Sequence, residues 1–66
     1  MLTKLGEEIE TLVDRYGATY LLHQFSTVCY EKSEHIQINW QDDNLAREWR
    51  TLADKLARLY SETRSI

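Results

Sequence analysis

A chain of 66 residues with one cysteine, Cys29, holds a single domain at most and no intrachain disulfide. A core of that size yields only about 3–5 kcal/mol of net stability, so a well-packed bundle, a metal or a second chain is expected to make up the rest. The formal charge of −3 argues against general nucleic-acid binding, and no apolar run approaches the roughly 20 residues of a membrane span.

Glutamates in "MLTKLGEEIETL" stand where a signal peptide carries its apolar stretch. With no disulfide framework, a reducing, cytoplasmic location is expected. The charge is unevenly spread. Residues 1–43 hold three Lys/Arg against eight Asp/Glu, a net of −5, whereas residues 44–66 hold five against three, a net of +2. Such a split would suit an acidic partner or head-to-tail pairing, but mixed charge on solvated faces is the favoured reading.

The chain has no proline and two glycines, so little interrupts a helix. In the first segment Leu2, Leu5, Ile9, Leu12, Val13 and Tyr16 recur at spacings of three and four, one stripe of a 3.6-residue period. Gly17 follows, where a left-handed C-terminal cap is wanted. A helix over about residues 3–16 is expected.

The second segment repeats Leu21, Leu22, Phe25, Val28, Cys29 and Ile36, with Asn39 and Trp40 extending the phase, and predicts a helix over about 18–39. "NWQDDN" reads as a turn in which Asp42 or Asp43 caps the next helix and meets the positive end of its dipole. A calcium loop is rejected, because the required glycine and terminal glutamate are missing.

The third segment, about 43–62, sets Leu45, Trp49, Leu52, Leu56 and Leu59 at the a/d spacing of a coiled-coil seam. Ala46, Ala53 and Ala57 line an adjacent strip, small enough for a second helix to come close. Helix three should therefore meet neighbours on two sides. The predicted architecture is all-α: a short first helix and a long antiparallel hairpin, a three-helix bundle completed by self-association. Trp40, Trp49, Tyr20, Tyr30 and Tyr60 supply the large amphipathic side chains favoured at such contacts.

The stretch "VCYEKSEHIQINWQDD" gathers the residues with chemistry. Cys29 lies on the core stripe, where a thiol behaves as a small inert hydrophobe. Glu31 and His35, four apart, share a helix face. This pair is half of a metal site at best, since His23 lies about 18 Å away along the axis from His35. Only an oligomer would complete it, so no metal or other cofactor is assigned. No nucleophile–base pair, Gly-rich phosphate loop or GxSxG elbow is visible, and the chain is not expected to be an enzyme. Lys32 is the anomaly, a charge in the middle of the apolar stripe. Either its methylenes lie along the core while its ammonium reaches the edge, or it is buried against an acid and fixes register. A DNA-reading third helix would use Arg47, Arg50 and Arg58, but Glu48 and Asp54 dilute the charge and the preceding helix is acidic.

The runs "VCYEKSEHI" and "NWQDDNLAREW" resemble short uncharacterised helical proteins of bacterial, cyanobacterial and phage genomes, over residues 16–60. The resemblance rests on no motif of known chemistry. It implies a small cytosolic accessory protein and transfers no site residue. The expected function is a non-enzymatic helical interaction module, an adaptor, regulator or inhibitor acting as a homo-oligomer on another protein. Its contact residues are predicted to be Lys32, His35 and Trp40 on one side, with Arg47 and Arg50 on the other. The competing readings are a metal-binding bundle through Glu31 and His35, and nucleic-acid binding through helix three.

Overall fold

The computed structural model describes residues 3–63. Among them are three α-helices, α1 (Lys4–Tyr16), α2 (Ala18–His35) and α3 (Asp43–Glu62), with a π-helical turn, Ile36–Trp40, closing α2, and no strand. The chain is all-α, a short helix followed by a long antiparallel hairpin. Leu2 of the expected first stripe, with Arg64, lies outside the described residues.

Each boundary has a local cause. Thr3 caps α1, its hydroxyl oxygen accepting from the Gly6 N–H at 3.0 Å. Gly17 ends α1 with φ 87° and ψ 149°, its N–H donating to the Val13 carbonyl at 2.7 Å. The expected cap was left-handed helical. The observed one pairs a positive φ with an extended ψ, a region essentially restricted to glycine, and this turns the chain sharply into α2. A Cβ added there would meet nothing within 4 Å, so the restriction comes from the backbone alone. At the other end, the i→i+5 bonding of the π turn widens the helix. Gln41 then takes the left-handed conformation (φ 54°, ψ 32°) and Asp42 caps α3, accepting from the Leu45 N–H at 3.0 Å.

The hairpin closes on small side chains rather than large ones. Cys29, Ser33 and Ile36 from the α2 strand of the hairpin and Ala46 and Ala53 from α3 are its buried residues. Residues this small let the two helix axes draw together. Ser26 donates across the seam to the Ala53 carbonyl at 2.8 Å, and Thr19 to the Thr63 carbonyl at 2.6 Å. Ser33, fully buried, donates back to the Tyr30 carbonyl at 2.7 Å, so it enters the seam without an unpaired hydroxyl.

This corrects the expected core. Phe25 and Val28, placed at the centre of the α2 stripe, are 55% and 58% exposed, and Leu21 and Leu22 are half-buried. At 100° per residue the packed line Ser26–Cys29–Ser33–Ile36 sits roughly 90° round the helix from Leu21, Phe25 and Val28. Trp40 does not continue the buried phase either. The wider π turn rotates everything after Ile36, and the indole is 68% exposed. On α3 the alanine strip faces α2 through Ala46 and Ala53, while Ala57 is exposed. Its leucine stripe is left to a second side.

Helix α1 contributes no buried residue. Its backbone approaches only that of α2, and Leu5, Ile9, Leu12, Val13 and Tyr16 are all exposed. No described helix is long and apolar enough to cross a membrane.

Candidate functional site

The unburied stripes fall on one side of the molecule. Ile9 and Val13 of α1, Ala18, Leu21, Leu22 and Phe25 of α2, and Leu56 of α3 line an open groove of about 410 Å³. Every lining side chain is apolar. The face continues along α3, where Leu45, Trp49 and Leu52 frame a shallower hollow with Glu48. Isolated exposed leucines are ordinary on a protein surface, whereas this groove gathers apolar side chains of three helices.

Sequence spacing found nearly all of these residues and misjudged what they face. The signal that separates packed line from open stripe is Ser26 and Ser33. They stand seven apart, in register with Cys29 and Ile36, at the four-three spacing of a close helix pair.

The residues singled out for their chemistry are spread around the hairpin, and on α2 Lys32 and His35 lie towards the Phe25 and Val28 side rather than the packed line. Lys32 is exposed in the chain, and its ammonium lies 5.7 Å from the centroid of the Trp49 ring. The buried charge weighed for it is thus replaced, within one chain, by a cation held over an aromatic face at the border of the leucine stripe. His35 and Glu31 are both exposed. The Asn39 amide nitrogen stands 3.1 Å from the His35 Nδ1 and also donates to the His35 carbonyl at 3.1 Å. No three His, Cys, Asp or Glu side chains among the described residues come together as a metal site would need.

Arg47 and Arg50 border a cleft of about 280 Å³ with Gln37, Asp43 and Ala46, at the start of α3. Arg50 is held on two sides. Its guanidinium lies 5.6 Å from the Tyr30 ring centroid and donates to the Gln37 side-chain oxygen at 3.4 Å. These contacts draw it towards α2, although both Arg47 and Arg50 remain exposed. Trp40, the last residue of the π turn, stands clear at 68% exposure. The structure therefore brings Arg47 and Arg50 together, and sets Lys32 against Trp49 rather than against His35 or Trp40.

Cys29 sits inside the seam at 1% exposure, and burial pushes its thiol pKa up from the ordinary value. A protonated, enclosed thiol is a poor nucleophile. The chemistry on offer at the surface is apolar area, two tryptophans and a few cations. No family model matches the chain, and no curated protein or solved structure matches it.

Proposed function

We propose that this chain is a non-enzymatic helical interaction module that associates with itself through its open apolar face. His35, Trp40, Arg47 and Arg50, with Lys32 at the border of that face, are then what the assembly presents to another protein.

The observation that carries this reading is the amount of surface left uncovered. A compact monomer of 7.9 kDa exposes about 4,400 Å² by the scaling of folded proteins. This chain exposes 5,502 Å². The surplus is on the order of 1,000 Å², slightly above the ~800 Å² that each partner contributes to a standard interface. It also falls on the right residues, since the exposed large hydrophobic side chains include Leu5, Ile9, Phe25, Val28, Leu52 and Leu59. An interface built from them would be apolar at its centre, with Tyr16, Tyr20 and Lys32 towards its rim.

Light scattering on the purified protein tests the reading. The expected mass at micromolar concentration is a multiple of 7.9 kDa. Phe25→Glu, which places a charge on an exposed position of the face, should return it to a single chain while keeping its helical circular dichroism. A wild-type protein that is already monomeric at these concentrations would sink the proposal.

A further inference from the structure

Arg47 and Arg50 stand on the face of the hairpin that self-association through the apolar groove leaves free. At 100° per residue, Arg50 and Arg47 lie roughly 50° and 110° round α3 from the packed Ala46 and Ala53, on the side away from Leu45, Trp49, Leu52 and Leu56. On α2, Tyr30 is likewise on the side of the packed line away from Phe25 and Val28. We propose that the cleft between Gln37, Ala46, Arg47 and Arg50 takes a carboxylate side chain from an acidic segment of a partner protein. This rests on the reading of that face as the one presented to another protein, and it supplies the partner's chemistry.

Arg50 is in position before any ligand arrives. Its guanidinium lies 5.6 Å from the Tyr30 ring centroid, and a terminal nitrogen donates to the Gln37 Oε1 at 3.4 Å. A planar fork held in this way loses little freedom on gripping a carboxylate. Arg47, three residues earlier on the same helix face, has no hydrogen-bond, ion-pair or ring partner among the described residues, and Arg50 meets no carboxylate among them. Both border the same cleft of about 280 Å³, beside the buried Ala46. Two guanidinium forks facing one small cleft suit a planar anion, which they bind through charge-assisted hydrogen bonds. The surroundings narrow the choice of anion. Asp43 lines the cleft and Asp54 follows Arg50 one turn on, so the phosphate backbone of a nucleic acid would meet like charge at both ends. The net charge of −3 opposes it further. A single carboxylate side chain reaches Arg47 and Arg50 without running along either aspartate.

Titration of the isotope-labelled full chain with a blocked pentaglutamate peptide, followed by NMR, tests the site. The Arg47 and Arg50 Nε–H signals and the Gln37 side-chain amide should move together and saturate, with a dissociation constant of about 1 mM. Arg47→Ala and Arg50→Ala should each raise that constant roughly fivefold, with helical circular dichroism unchanged. Arg50→Lys should lose about as much as Arg50→Ala, since lysine keeps the charge and gives up the fork and its seat on Tyr30. Arg58→Ala, on the same helix outside the cleft, should stay within roughly twofold of wild type. The proposal is overturned if these signals do not move and saturate, if Arg50→Lys binds as wild type does, or if Arg58→Ala loses as much as the cleft variants. Tighter binding of inorganic phosphate or of a DNA oligonucleotide overturns it too. Light scattering keeps the two readings apart. A wild type that dimerises and ignores the peptide strikes the cleft alone, whereas a monomeric wild type that binds the peptide strikes self-association alone.

Discussion

At 1% exposure the Cys29 thiol is shut off from the water that would solvate a thiolate, which is why its pKa is raised. The consequence for stability has a definite sign. The unfolded chain releases the thiol proton near 9.0 and the folded chain only at higher pH, so the favourable contribution of Cys29 is complete below 9 and is lost as pH climbs towards the folded value. In that window the loss amounts to at most about 1.4 kcal/mol per pH unit. Urea denaturation of wild type and Cys29→Ala at pH 7 and pH 10 isolates the effect from tyrosine and lysine titration. Wild type should be the more stable at pH 7, through the cavity that alanine leaves, and the gap should narrow at pH 10. A gap independent of pH would mean that the thiol is hydrated in solution. The same residue shows what spacing can reveal. Its place on the core stripe of α2 was legible from sequence, because a buried cysteine behaves as an apolar side chain. The position of Lys32 was legible as an anomaly and its resolution was not, since Trp49 lies on another helix, 17 residues away in sequence.

Among the helices, the existence of all three, the break at Gly17 and the Asp42 cap of α3 were readable because those are local signals, whereas the π turn that ends α2 at His35, short of the expected 39, was not. Which face of each helix packs inward was not. A hydrophobic stripe says that a helix has an apolar neighbour without saying which one. Here the hairpin uses a quieter line of alanine, serine and cysteine and leaves the stripes for something else. Polar serines count against a core position in any hydrophobicity pattern, yet Ser26 and Ser33 satisfy their hydroxyls on the Ala53 and Tyr30 carbonyls. Two alanines of the same α3 strip separate the alternatives. Ala53 is 3% exposed against α2, and Ala57, one turn on, is exposed. Ala53→Leu should force the hairpin apart and cost about 1–3 kcal/mol, while Ala57→Leu should stay within about 0.5 kcal/mol of wild type. Equal urea midpoints for the two variants would show that the alanine strip does not form the seam.

Taken whole, the molecule is too open for its length. Its Cα radius of gyration is 13.8 Å and its principal extents are 38 × 28 × 17 Å. A compact chain of 66 residues has a radius of about 11 Å, whereas one of twice that length has about 14 Å. One copy is already as extended as a compact pair, because α1 stands off the hairpin with the groove between them. If a second copy fills that groove, it adds mass near the centre and covers the apolar face, the kind of second layer from which stable folds are built. If folding and association are linked in this way, apparent stability depends on protein concentration. For a dimer of 132 residues unfolding to two chains, the entropy at the midpoint is about 0.28 kcal/mol/K. A hundredfold rise in concentration contributes about 2.7 kcal/mol of mass action, which should lift the melting temperature by roughly 10 °C between 1 and 100 μM. Phe25→Glu supplies the internal control, since a chain held monomeric by charge on its face should melt lower and at one temperature throughout that range. A wild-type melting temperature that stays fixed across the hundredfold range would mean that the hairpin seam alone holds the fold, and that the leucine face is solvated in the native state.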